Sequence, residues 1–205
     1  MNLFDLTGKT ALVSGASRGI GAAIAGGLAA AGASVALAAR SVDALADVAE
    51  QITGRGGNAV PIELDISRID TIPAAVRQVE DALGPIEILF NVAGTNIRKP
   101  IEEITESDFD QITDTNYKGA YFLCQEVGKG MIERRRGKVI NIGSLTTAIG
   151  VPKISVYGGS KGAIGQMTKG LAVEWGKYNI QVNAIGPGFI VTDLNRSLWD
   201  DPKMK

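Results

Sequence analysis

Six short, mostly apolar runs alternate with longer stretches of helical spacing, and this alternation constrains the fold more than any other feature of the chain. The runs are Thr10–Val13, Val35–Ala38, Ala59–Leu64, Ile86–Val92, Lys138–Ile142 and Ile180–Ile185. The helical stretches are Ile20–Ala31, Val42–Ile52, Ile69–Leu83, Ser107–Glu133 and Ser155–Lys177. A strand with one wet face alternates apolar and polar residues. These runs mostly do not alternate, so both faces are expected to be covered. Strands joined by helices imply right-handed crossovers in a parallel sheet. The expected fold is α/β, a doubly wound parallel sheet forming one domain over residues 1–205. In such sheets ligands sit beyond the carboxyl ends of the strands. Nothing after Ile185, in the closing LNRSLWDDPKMK, resembles a further strand, so a C-terminal strand is expected to be missing and the chain incomplete there.

Composition removes several classes of function. The 205 residues are enough for a substantial core, 45% are hydrophobic and 21% charged, and the net charge is -1. Arg134-Arg135-Arg136 is the one basic run, and it suits the C-terminal end of a helix dipole better than a nucleic acid. One cysteine, Cys124, and no histidine exclude an intrachain disulfide, a histidine triad and a histidine-ligated metal, so no metal is expected. No signal peptide opens the chain, and no apolar run reaches membrane-spanning length. A cytoplasmic protein with no membrane partner is expected.

The first strand runs into Ser14-Gly15-Ala16-Ser17-Arg18-Gly19-Ile20-Gly21 and then an alanine-rich helix. The spacing is G-x3-G-x-G. Glycines allow positive φ and close backbone approach, and the helix start offers unpaired N–H groups to a diphosphate. Placed between a first strand and a helix, the turn reads as the dinucleotide site of a Rossmann-type fold. An NAD site wants a carboxylate at the end of the second strand, to grip the ribose 2′-hydroxyl. This strand ends Ala38-Ala39-Arg40 instead. Arg40, with Arg18 from the glycine turn, offers guanidinium groups to a 2′-phosphate, which favours NADP(H) over NAD(H). The alternative is two solvated surface arginines.

Tyr157 and Lys161 are four residues apart and share one helix face. A neighbouring ammonium lowers a phenol pKa and so makes tyrosine a usable acid-base at neutral pH. Ser144 follows the fifth strand, where ligands bind, and its hydroxyl can hold a substrate oxygen. Asn116 sits inside the fourth helical stretch, where asparagine is a mediocre former. It marks either a kink that exposes a backbone carbonyl to a water chain or an ordinary surface residue.

With SGASRGIG, the LDIS of Leu64 to Ser67, NVAG from Asn91, Asn116, Ser144, YGGSK from Tyr157 and PGFIVTD from Pro187, in that order, the sequence resembles the short-chain dehydrogenase/reductase family over essentially its whole length. The resemblance implies that Tyr157 is the general acid/base and that Lys161 lowers its pKa and bonds the nicotinamide ribose. It implies that Ser144 positions the reacting oxygen and that Asn116 supports a proton relay. It also implies a cofactor surface of Gly15, Ser17, Arg18, Gly19, Ile20, Gly21, Arg40, Asp65, Ile66, Asn91, Ala93, Gly94, Tyr157, Lys161, Pro187, Gly188, Ile190 and Thr192, with Asp65 accepting from the adenine amino group. Phe90 and Val92 depart from the family pattern with apolar residues. Family members usually continue through a substrate-covering helix and a seventh strand.

The substrate is the least legible part. Arg98, in Thr95-Asn96-Ile97-Arg98, is either a carboxylate ligand or a solvent-facing arginine beside Lys99. The first choice suits a sugar acid, and the stretch resembles the gluconate dehydrogenases of the family. Ser144, Tyr157 and Arg98 are then the substrate contacts. A 3-oxoacyl-thioester reductase is the rival substrate class, and a non-catalytic NADP(H)-binding protein the rival function. Gly158, Gly162 and Gly165 on one helix side imply close approach by the chain's own fold or by a partner subunit. A homo-oligomer, tetramer or dimer, is expected from the family.

Overall fold

The computed structural model describes residues 4–190. The strands are β1 (Thr10–Ser14), β2 (Ser34–Ala39), β3 (Asn58–Glu63), β4 (Ile86–Asn91), β5 (Gly137–Ile142) and β6 (Ile180–Ile185). The helices are α1 (Gly19–Ala30), α2 (Val42–Thr53), α3 (Ile72–Leu83), α4 (Glu106–Thr113), α5 (Gly119–Arg134) and α6 (Ser155–Trp175). All six strands join one parallel sheet in the order β3-β2-β1-β4-β5-β6. The order reverses between β1 and β4, which opens a crevice beyond the strand carboxyl ends.

The two faces of the sheet carry separate cores. Leu12 and Leu89 point into the cluster covered by α3, α5 and α6, and Ala11, Val13 and Ile88 into the cluster covered by α1 and α2. Every residue of β1 is buried, as its unbroken apolar pattern requires. Along α1 the buried positions are Gly21, Ala25 and Ala29, spaced by four. Small residues on that face let α1 lie close against the sheet, so that its N-terminus opens at the crevice.

The long fourth helix expected over 107–133 is not continuous. α4 ends at Thr113, a π-helical turn covers Asp114–Lys118, and α5 begins at Gly119. Asn116, 1% exposed at the middle of that turn, bonds elsewhere with its side chain, and the extra residue in the turn is what aims it there. The expected helix start at Ile69 is a separate 3₁₀ turn, Ile69–Thr71. The expected end at Lys177 becomes a 3₁₀ turn, Gly176–Tyr178, stopped by Asn179 in the left-handed region at φ 58°.

The basic run does more than answer a helix dipole. Arg134 donates to the carbonyl of Ile86 at 2.9 Å, and Arg136 pairs with Glu87 at 2.6 Å. Lys9 meets the other oxygen of Glu87 at 3.1 Å. Together these bonds fasten the amino end of β4, opposite the crevice. Among the described residues, no helix is long and apolar enough to cross a membrane.

Candidate active site

A cavity of about 770 Å³ occupies the crevice. Its floor is the glycine turn. Gly15 (φ 69°) and Gly19 (φ 55°) take conformations that disfavour side chains. A Cβ on Gly15 would stand 2.7 Å from the Cα and N of Ala93, and one on Gly21 would collide with the carbonyl of Gly15. The backbone is thus pressed as tightly as side-chain-free residues allow, with the α1 N-terminus aimed into the space. That is a cradle for a diphosphate.

Gly15, Ser17, Arg18, Gly19, Ile20 and Gly21 all line the cavity. So do Arg40, Asp65, Ile66, Ala93, Gly94, Pro187, Gly188 and Ile190. Arg18 and Arg40 are exposed. Asp65 accepts from the Ser67 backbone N–H at 3.0 Å and its hydroxyl at 2.7 Å, both on one carboxylate oxygen. Thr192 lies outside the described residues.

Two residues expected at the site stand off the cavity wall. Asn91 does not line the cavity. It is 5% exposed and turns into the core, donating to Asn141 Oδ1 at 2.9 Å and to Cys124 Sγ at 3.0 Å. Its amide joins β4 to β5 and α5, because a buried amide must find partners. Burial pushes the Cys124 thiol up to about 12, so it stays an inert thiol. Arg98 is also absent from the cavity wall and is exposed. Its loop is held from outside. Lys99 pairs with Asp108 at 2.6 Å, and the Lys99 N–H donates to the carbonyl of Lys153 at 3.0 Å. The Lys99 ammonium, with the Thr105 backbone N–H, holds the Asp108 carboxyl down at about 2.

Several lining residues escaped the sequence reading: Ser41, Ala44, Ser67, Gln111, Asp114 and Thr115. Ser41 caps α2, its Oγ accepting from Ala44 N at 3.4 Å, so a second helix N-terminus borders the cavity beside Arg40. Serine directly before a helical stretch is a common N-cap, and its place after β2 puts it on the cavity wall.

At the far end of the cavity stand Ser144, Tyr157 and Lys161. Lys161 is 4% exposed and donates to the carbonyl of Ile142 at 2.7 Å. Its Nζ lies 5.8 Å from the centre of the Tyr157 ring. Burial pushes Lys161 down to about 8. Tyr157 is shifted above its ordinary value, chiefly by burial, and a hydrogen bond with the Ser144 side chain pulls it back down in part. In this structure the Lys161 ammonium bonds the Ile142 carbonyl, and the Ser144 side chain pulls the Tyr157 pKa down while desolvation acts on both titrating side chains. Ser144 Oγ also accepts from Thr146 N at 3.1 Å, which orients the hydroxyl.

Asn116 ties this end together. Its Oδ1 accepts from Thr95 N at 2.7 Å, and its Nδ2 donates to Thr95 O at 2.9 Å and to Ser160 Oγ at 3.1 Å. Ser160 in turn donates to the carbonyl of Tyr157 at 2.7 Å. Two of the glycines of α6, Gly158 and Gly165, face neighbours inside the chain. A Cβ on Gly165 would meet Thr147 Cγ2 at 2.6 Å and one on Gly158 would meet Thr146 Cβ at 3.8 Å, while Gly162 faces open space. Among the described residues, no cluster of three acidic, cysteine or histidine side chains stands ready for a metal.

The same chain pattern occurs in known proteins. A family model described as short chain dehydrogenase matches residues 9–203. Gluconate 5-dehydrogenase of Gluconobacter oxydans is 38% identical over 200 residues, covering 98% of this chain and 78% of that protein. A 3-oxoacyl-(acyl-carrier-protein) reductase of Staphylococcus epidermidis is 36% identical over 196 residues, covering 95% of this chain and 80% of that protein. Among solved structures, a gluconate 5-dehydrogenase from Burkholderia cenocepacia, in complex with NADP and tartrate, superposes with a TM-score of 0.94 at 36% identity, over 98% of this chain and 79% of that one. The chain belongs to the short-chain dehydrogenase family.

Proposed function

We propose that this protein is an NADP(H)-dependent oxidoreductase that interconverts a secondary alcohol and a ketone on a sugar acid of the gluconate kind. The observation that carries the reading is one continuous cavity, with the glycine cradle and two arginines at one end and Ser144, Tyr157 and Lys161 at the other. The forbidden Cβ positions support a diphosphate in the cradle, and Arg18 and Arg40 suit a 2′-phosphate. The bound cofactor supplies or accepts the hydride.

The chain's own residues handle the proton. Ser144, held by the Thr146 N–H, presents its hydroxyl to the reacting oxygen. In reduction Tyr157 gives its phenolic proton to that oxygen, and in oxidation it takes the proton back. Lys161 sits on the wall beside it, its charge weakened by burial. Asn116 holds the π-helical turn against the loop at Thr95, which supports a part for it in a proton relay.

The sugar-acid class rests on the gluconate dehydrogenases among the relatives. A 3-oxoacyl thioester is the second reading, favoured by the reductase relative. A homo-oligomer is part of the proposal. Tyr121, Ile132, Leu171 and Trp175 line a groove between α5 and α6, with Phe109 and Tyr117 exposed nearby on α4 and the π-helical turn. Sedimentation reads that state directly.

The deciding test follows the reduced-nicotinamide absorbance with NADP⁺ and NAD⁺ separately against gluconate and neutral polyols, and with NADPH against keto-gluconates and 3-oxoacyl thioesters. Turnover of the gluconate pair with NADP(H) is expected. Turnover of the thioester alone would replace the substrate assignment.

A further inference from the structure

We infer that Thr147 is a positioning residue for the proton-transfer machinery, a strap that sets Ser144 against the helix carrying Tyr157 and Lys161. The inference rests on the roles given above to Ser144 and Tyr157.

Thr147 does not line the cavity, so it acts through others. Its single hydroxyl makes two bonds. Oγ1 accepts from the Ser144 backbone N–H at 3.1 Å and donates to the carbonyl of Lys161 at 3.2 Å. One side chain thus joins the backbones of two residues of the site, otherwise seventeen positions apart in the sequence. The Ser144 hydroxyl is oriented within the same turn by the Thr146 N–H, making a reciprocal capping box over Leu145–Thr147. Displacing the turn therefore displaces the Ser144 hydroxyl.

The surroundings are shaped to this residue. A Cβ on Gly165 would stand 2.6 Å from Thr147 Cγ2, and one on Gly143 would stand 3.0 Å from Thr147 Oγ1. The methyl and the hydroxyl each occupy space that a glycine leaves open. Helix α6 carries Gly158, Gly159, Gly162, Gly165 and Gly170. Each interior glycine weakens a helix by up to ~1 kcal/mol relative to alanine. A helix so poor in intrinsic rigidity needs restraint from outside where it bears Tyr157 and Lys161. Thr147 supplies one such restraint and Ser160, bonded to Asn116, supplies another. A reacting group displaced by about 1 Å loses up to ~100-fold in rate, so the strap has a measurable consequence.

The test compares Thr147→Val, which keeps the volume and removes both hydrogen bonds, with Thr147→Ser, which keeps the hydroxyl and removes the methyl. In NADPH-dependent turnover, T147V is expected to lower kcat by about tenfold with KM and NADPH affinity within about twofold, and T147S to recover most of kcat. A phenol titration of Tyr157 in the cofactor-free protein, read as the difference between each protein and its Y157F counterpart, needs no substrate. The Ser144 hydrogen bond lowers the Tyr157 pKa, so T147V is expected to titrate higher than the wild type and T147S at the wild-type position. Three results overturn the inference: wild-type kcat and titration in T147V; equal impairment of both variants, which assigns the effect to the methyl against Gly165; or loss of NADPH affinity together with kcat. If the wild type turns over no substrate offered, the functional reading fails by itself, and the titration still decides on Thr147.

Discussion

The two ends of the cavity are built by different means. At the nucleotide end, contiguous residues suffice: Gly15 to Gly21 form the cradle, and Arg40 and Ser41 follow directly from β2. The working groups there are backbone N–H groups, helix N-termini and exposed guanidinium groups. The requirement on the side chain is mostly that it be absent. At the chemical end, nothing is contiguous. Thr95, Asn116, Ser144 and the Tyr157–Lys161 pair of α6 come from separate elements, cross-linked by side-chain bonds such as Asn116 to Thr95 and Ser160. A site that holds charge by backbone can be short in sequence. A site that moves a proton needs groups at fixed mutual distance, and only packed elements provide that.

Four substitutions probe this contrast, beginning with the largest effect. Tyr157→Phe removes the proton carrier and leaves the cradle intact. Its kcat is expected to fall by about a thousandfold while NADPH affinity by fluorescence titration stays within about twofold. Retained turnover would end the distinction between the two ends. Gly15→Ala is the converse. A methyl at φ 69° and 2.7 Å from Ala93 forces backbone apart at a cost of ~1–3 kcal/mol, or about five- to 150-fold in NADPH affinity. Saturating cofactor is expected to restore most of kcat. Unchanged affinity would show that the cradle is not where the diphosphate sits.

Arg40→Asp sharpens the nucleotide end alone. Replacing a guanidinium by a carboxylate is expected to shift the ratio of NADP to NAD specificity constants toward NAD by at least about tenfold. An unmoved ratio would remove Arg40 from the 2′-phosphate.

The smallest effect concerns stability at the chemical end. Burial holds Lys161 near 8, below its ordinary 10.5. Between those two values the unfolded chain binds the proton that the folded chain has released. Stability from this group therefore rises as pH increases from about 8 to 10.5, and below 8 the folded state carries the full penalty of a buried charge. Lys161→Met lacks that rise. Thermal melts of the cofactor-free proteins are expected to give a Tm advantage of Lys161→Met over the wild type at pH 7.5, of a few degrees, that shrinks toward pH 10. A constant difference across that range would mean Lys161 is not desolvated as the structure shows.

The amino-acid sequence by itself determined the sheet, the alternation and the glycine-lined end of the cavity, because these depend on local pattern. Apolar runs without alternation are strands covered on both faces, and each of the six stands within a residue or two of its expected bounds. The glycine turn and Arg40 were legible for the same reason. Ser144, Tyr157 and Lys161 were recognisable as residues, and the cavity brings them together, but their electrostatics were not legible. Four-residue spacing placed Lys161 on the face of Tyr157, whereas its ammonium goes to the Ile142 carbonyl of another element.

What only the tertiary structure decided has one physical cause. A buried polar group takes whichever partner lies within reach, and reach is set by packing between distant segments. Asn91 turned to Asn141 and Cys124 and left the cavity. Asn116 opened a π-helical turn to reach Thr95. Thr147 and Gly165, eighteen positions apart, became complementary only when α6 lay against the turn after β5. Local pattern sets which elements form. The partners of buried polar atoms, and with them the geometry of proton transfer, are set when those elements meet.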